Sequence, residues 1–212
     1  MPFQYKRRSK DDLLLNLLDH AVDDDTHASV LSTLAAGISA AATRIERIAS
    51  PEIAQVVAED EVEVIESLLG TAYVLSQTPI TAVTHAALRA RKQALDDGLE
   101  FSAFGCDPPE VRALGDRFDA QYSKIEVVWA LANYFKHRDE WHRSTWTKPP
   151  RRNERTAAVL KAVRLQLSSN GNLRAGAEAL GITDYATLTI LGDIIACWAN
   201  EVRSITRKAF GR

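Results

Sequence analysis

Cysteine is scarce in this chain of 212 residues, and the two that occur, Cys106 and Cys197, stand far apart with no ligand-like spacing around either. A disulfide framework and a paired-cysteine zinc site are thereby excluded, and a reducing, cytoplasmic setting is expected. Surplus charge is also lacking: 26 basic residues face 28 acidic ones, for a net charge of −2. No global field draws the protein to nucleic acid or to an anionic membrane, so any such binding must be local. There is no glycine-rich phosphate loop, no GxSxG elbow and no HExxH helix. Asp139 and Glu140 are adjacent, so on a helix they diverge by about 100° and do not form a working carboxylate pair. A di-metal bundle site needs Glu-x-x-His on two helices. Neither a metal nor a cofactor is therefore expected. His20, His27 and His85 lie in apolar helical surroundings and read as core or boundary residues rather than catalysts.

Runs of alternating apolar and polar residues are missing, as is any fixed-period repeat. The opening PFQYKRRSKDD is too polar and basic for a signal peptide. Two windows free of Asp, Glu, Lys and Arg, Thr26–Thr43 and Ser67–Leu88, raise the question of a membrane. Both are diluted with Ser, Thr, Gly, His or Gln, and Pro79 interrupts the second. Buried core helices are expected and a membrane partner is not.

What the chain does have is helical spacing. Its hydrophobic content of 46% suits a real core. The reading is one all-α domain over 11–212, a bundle of long antiparallel helices, preceded by a basic arm, Met1–Lys10. The arm carries Lys6, Arg7, Arg8 and Lys10, which suit contact with phosphate. Asp11–Val22 forms a helix with a stripe of Leu13, Leu14, Leu17 and Leu18. Asp23–Asp25 offers an N-cap to a second helix, Thr26–Ala49, rich in small residues. Ser50 and Pro51 start a third helix at N-cap and N1. That helix has a wet half marked by Glu61, Glu63 and Glu66, and a buried half marked by Leu68, Leu69, Tyr73, Val74 and Leu75. At Thr78-Pro79 it restarts or kinks, then continues from Ile80 to Leu95.

Asp96–Pro109 is a loop. A helix restarts near Glu110, and the run to Trp141 is continuous or broken near Gly115. His142–Glu154 is an exposed loop anchored by Trp146. Thr156–Leu167 is a short helix and Ser168–Asn172 a turn. Asn172 caps Leu173–Leu180, which Gly181 stops, and Thr183 or Asp184 caps a last helix, Tyr185–Phe210. Leu131, Phe135, Leu69, Val74, Leu191 and Trp198 are expected in the core.

The stretch Ile125–Trp141, IEVVWALANYFKHRDEW, carries the candidate site. At 3.6 residues per turn Val127, Val128, Leu131, Tyr134 and Phe135 share one side. Glu126, Asn133, Lys136, His137 and Glu140 share the other, with Trp129 within that arc, Trp141 at its edge and Arg138 among the apolar residues. Asn133 and His137, four apart, sit one above the other.

The segment ANYFKHRDEW resembles the signature helix of the HEPN superfamily, small all-α proteins common in bacterial toxin–antitoxin and phage-defence systems. Many members are metal-independent ribonucleases, and their pattern is Arg, a polar residue (often Asn), then a few residues to a His near a helix end. Asn133 and His137 match the last two. The arginine position falls on Ala132, a departure, and Lys136 is the nearest positive replacement. GTAYVLSQTPITAV and GNLRAGAEALG also look like segments of bacterial proteins of this type.

The resemblance implies a cytoplasmic endoribonuclease, with RNA as partner and a homodimer that pairs two sites. Metal-free RNA cleavage needs a group to move the 2′-hydroxyl proton and a cation to steady phosphorane charge. His137 would move the proton, since an imidazole titrates near neutrality. Lys136 would stabilise charge and Asn133 orient, while Trp141, Trp146, Arg151 and Arg152 would bind substrate by stacking and charge. Ala132 and the modest net charge motivate the alternative, a non-catalytic all-α interaction or regulatory protein of antitoxin type.

Overall fold

The computed structural model describes residues 10–22, 26–47, 51–166, 171–184 and 187–211, and over these it is all-α, without a strand ladder. The basic residues Lys6, Arg7 and Arg8, the Asp23–Asp25 cap, the Ser50 cap, Leu167 through Asn170, and Tyr185 lie outside the described residues.

One helix organises the rest. Helix α3 runs unbroken from Pro51 to Asp96, with Pro79 inside it. At 1.5 Å per residue, 46 residues make a rod of about 69 Å. A restart at Thr78-Pro79 is therefore corrected: the helix passes through its proline. Ile80, Val83, Ala87, Ala90 and Ala94 beyond it are buried like Leu69, Ala72 and Tyr73 before it. Burial along both halves offsets the hydrogen bond a mid-helix proline removes, a loss of about 3 kcal/mol or more. Helices α1 (Lys10–Val22) and α2 (Thr26–Glu46) pack along α3. Gly37 of α2 lets Leu68 approach to 3.3 Å of where a Cβ would stand, and Arg44 forks onto Glu61.

Neither of the first two helices buries the whole face the sequence suggested. In α1 it is Leu15 and Leu18 that are buried, whereas Leu13 and Leu17 face solvent. In α2, Leu31, Ala35, Ile38 and Ala41 are buried while Ala28, Val30, Ala36 and Ala40 are exposed. Only Asp12–Glu46, among the described residues, is long and apolar enough to cross a membrane by length and composition, and 22% of its apolar window is buried.

After the loop 97–107, pinned by an edge-on Phe101–Phe104 pair and by Arg91 Nε donating to the Phe104 carbonyl at 2.9 Å, comes the short α4 (Pro108–Arg112). The chain then turns at Gly115, where φ is +84° and a Cβ would stand 3.2 Å from Trp198 Cδ1, so glycine serves both the backbone and the contact. Helix α5 (Lys124–Lys136) opens with a reciprocal cap: Glu126 N donates to Ser123 Oγ at 3.1 Å and Ser123 N to Glu126 Oε2 at 3.0 Å.

Two glycines seat α5. A Cβ on Gly70 of α3 would fall 2.2 Å from Phe135 Cδ2, and one on Gly176 would fall 2.5 Å from Leu131 Cδ2. Gly176 belongs to α8 (Asn172–Ala179). Between these come α6 (Arg143–Thr147) and α7 (Glu154–Ala162), which starts at Glu154 and ends short of the Leu167 expected from spacing.

Asn172 is the first residue of α8 rather than its cap; its side chain reaches Gln166 and the Tyr134 hydroxyl. The cap comes from far away in sequence, where the Glu66 carboxylate accepts from Leu173 N and Arg174 N, both at 3.0 Å. Carboxylates favour helix N-termini for the dipole as well as the free N–H groups. The last helix, α9, is shorter than expected, Ile190–Ala209, and buries Leu191, Ile194, Ile195, Trp198 and Val202. Of the expected core, Leu69, Leu131, Leu191 and Trp198 are fully buried, while Val74 and Phe135 are half-buried.

Candidate functional site

The site lies where α5 stops. His137 is its C-cap, with φ −120° and ψ 24°, and a single 3₁₀ turn, Arg138–Glu140, folds the chain back. That turn brings Glu140 Oε1 to 3.1 Å from His137 Nδ1. Because a carboxylate only accepts, Nδ1 is the donor in this bond, and Nε2 is the ring nitrogen it leaves unengaged. The second oxygen of Glu140 accepts from Arg152 Nη2 at 3.4 Å. His137 and Glu140 are 51% and 49% exposed, so their pairing adds little stability and acts mainly to orient the ring.

These groups line a cleft of about 280 Å³ together with Asn133, Trp141, Asn153 and Thr156. Of the sequence-derived candidates, the structure thus gathers Asn133, His137, Trp141 and Arg152 at one place. Lys136 is not among the lining residues; its Nζ donates to Gln77 Oε1 at 2.7 Å. The same amide donates through Nε2 to Asn133 Oδ1 at 3.1 Å, so Gln77 ties the two seam residues together. Arg151 is exposed and does not line the cleft. Trp146 stands edge-on to Trp141 at 6.2 Å, with Lys161 Nζ 5.9 Å from its ring. Trp141 is only 7% exposed, a wall more than a platform, and among the described residues its buried indole N–H has no partner.

Ala132, where the resemblance expects arginine, is 0% exposed. Nor is the expected polar arc solvated at its other end. Glu126 is 4% exposed, which corrects its assignment to the wet face. Besides Ser123 N, its carboxylate accepts from Arg155 Nε at 2.8 Å and from Arg155 Nη2. Arg112 joins them, its Cζ 4.1 Å from the centre of the Trp129 ring. Burial pushes the Arg112 guanidinium down to about 10; the Glu126 charge opposes that shift and the Arg155 charge adds to it.

On the other side of Trp141 lies a larger cleft, about 660 Å³, walled by Tyr134, Phe135 and Trp141 and rimmed by Glu59, Asp60, Glu63, Glu66, Asp139 and Arg138. Elsewhere Cys106, Asp107 and Glu110 bring their ligand atoms within 4.8 Å of one another at the surface, which their spacing had not suggested. There Glu110 Oε2 already accepts from Asp107 N at 3.0 Å, as a helix cap. Of the three histidines read as core or boundary residues, His20 and His85 are exposed, while His27 is half-buried against Ser76 at 3.2 Å. Only His27 keeps the boundary position expected of all three.

Comparison with protein-family models, with curated proteins and with solved structures finds no match.

Gln77, Arg112 and Arg155 were not singled out by sequence. For Gln77 a signal exists, since it is a long polar side chain inside the charge-free window Ser67–Leu88 and on the buried side of α3. The two arginines carry no local signal, because their partners are contributed by α5.

Proposed function

We propose that this chain is a HEPN-like protein of bacterial defence or toxin–antitoxin type, a bundle of long antiparallel helices that binds RNA at the His137 cleft and cleaves it without a metal. The observation that carries the reading is the oriented imidazole: His137 held through Nδ1 by Glu140, at the edge of a cleft that also holds Arg152 and Asn133. A base fixed by a carboxylate and a cation within reach is what transesterification of a phosphodiester requires.

In the proposed step Nε2 of His137 takes the 2′-hydroxyl proton and the 2′-oxygen attacks phosphorus. The bond to the 5′-oxygen breaks, and that oxygen leaves with a proton from water, giving a 2′,3′-cyclic phosphate and a 5′-hydroxyl. Arg152 steadies the charge on the phosphorane oxygens. Arg152 takes the part that sequence gave to Lys136, because Lys136 is turned to Gln77. The test is cleavage of an RNA pool in EDTA by wild type, His137→Ala and Glu140→Gln. Loss of one general base lowers rate by about 10²–10⁴-fold. If the wild type leaves the pool intact, the reading is wrong.

A second reading is a non-catalytic interaction protein. It is favoured by the burial of Ala132, which keeps the family's arginine position out of the cleft, and by the larger acidic cleft beyond Trp141. Intact RNA together with capture of a basic peptide in that cleft would select it.

A further inference from the structure

We infer that Arg112, Trp129 and Arg155 form a second phosphate subsite for the same RNA strand, a subsite that rests on the RNA reading above. Trp129, Asn133 and His137 follow one another at four-residue steps and so form one strip along α5. From Trp129 to His137 the strip is about 12 Å long, the length of roughly three stacked nucleotides at about 3.4 Å each. Arg155 in the first turn of α7 and Arg152, three residues earlier in the 3₁₀ turn that leads into it, flank the strip and diverge. Arg155 reaches back to Glu126 and Arg152 forward to Glu140.

At the Trp129 end the charges do not balance. Among the described residues Glu126 is the carboxylate that faces both guanidiniums, and its oxygens are taken by Ser123 N and Arg155. Arg112 lies over the indole and, among the described residues, its guanidinium has no hydrogen-bond acceptor. A half-buried cation with unused N–H groups is costly where it stands. A phosphodiester would supply the missing negative charge and accept from the guanidinium fork in a bidentate manner, which a lysine does not reproduce. The indole holds the guanidinium plane fixed, so little conformational entropy is lost on binding. A phosphate held at Arg112 would lay the strand along α5 and keep the scissile phosphate, at His137 and Arg152, in register.

The experiment measures binding of a short labelled single-stranded RNA to the full chain across a salt series, for wild type, Arg112→Gln and Arg112→Lys. Arg112→Gln should weaken binding about tenfold and lower the slope of log affinity against log salt by about one. Arg112→Lys should keep the slope and recover part of the affinity. A purely structural arginine would shift the melting temperature and leave the salt slope alone. Wild type that binds RNA, with either Arg112 variant matching it in affinity and slope, overturns the subsite and leaves the RNA reading standing. Should Arg112→Gln fail to fold, Arg112→Lys decides by affinity alone. Wild type that binds no RNA overturns both.

Discussion

Replacing Gly70 by alanine should destabilise the protein, although alanine is the better helix former. The Cβ would lie 2.2 to 2.4 Å from three carbons of the Phe135 ring, where carbon–carbon contact needs about 3.5–4.0 Å. The ring must therefore swing away from α3. Phe135 is half-buried and has room to move, so the loss is the burial of one aromatic face rather than a jammed core. Overpacking of this kind costs about 1–3 kcal/mol. The gain in helix propensity on losing a mid-helix glycine is about 1 kcal/mol. The net is a loss of about 0–2 kcal/mol, or up to about 8 °C in Tm at about 2–4 °C per kcal/mol for a chain of this length. The sharper measurement is the sign in a second background. In Phe135→Ala the ring is gone, so Gly70→Ala should stabilise by about the full 1 kcal/mol. Urea unfolding followed by tryptophan fluorescence gives all four corners of the cycle. Equal effects of Gly70→Ala in both backgrounds would show that Phe135 does not sit on Gly70. The seating of α5 described above would then be wrong.

Four further outcomes are expected. Ser123→Ala removes the acceptor for Glu126 N and the donor to the Arg112 carbonyl at 2.5 Å, and should cost about 1–2 kcal/mol in chemical denaturation. Arg155→Ala leaves the nearly buried Glu126 carboxylate with the Ser123 N–H bond and the nearby Arg112 charge, and should cost about 1–3 kcal/mol; no loss would mean that water already solvates Glu126. Ala132→Arg should not raise activity. It drives a guanidinium into a fully buried position, and circular dichroism should report a lower melting temperature. His137→Ala should change stability by no more than a surface substitution does, about ±0.5 kcal/mol, while abolishing the proposed cleavage.

That the candidate residues come together was legible in the sequence because they are local: Asn133, His137 and Glu140 lie within eight residues and reach one cleft by helical spacing and a single turn. The start of α5 was missed: a helix was expected from near Glu110, continuous or broken near Gly115, and the Ser123-to-Glu126 cap went unread because Glu126 was assigned to a wet face. GTAYVL and GNLRAGA, which stood out as stretches, contain Gly70 and Gly176, the two residues on which α5 rests. Partners that are far apart in sequence were not legible. Glu66 caps a helix 107 residues away and Gln77 ties Asn133 to Lys136 across more than fifty residues. Neither leaves a periodic trace. Pro79 misled for a related reason: a proline rule speaks for an isolated helix, and α3 is held on several sides.

The long α3 rod also governs how the protein can come apart. Helices α1, α2, α4, α5, α8 and α9 all pack on it. No opening that frees α3 leaves much of the fold intact, so amides in its buried stretches should exchange with deuterium only through global unfolding. Helix α1, packed on α3 and α9 with two of its leucines in solvent, is where the first partial opening belongs. The slowest and fastest helical amides would then lie against each other, and Pro79, which carries no amide, would leave a silent position within the slow set.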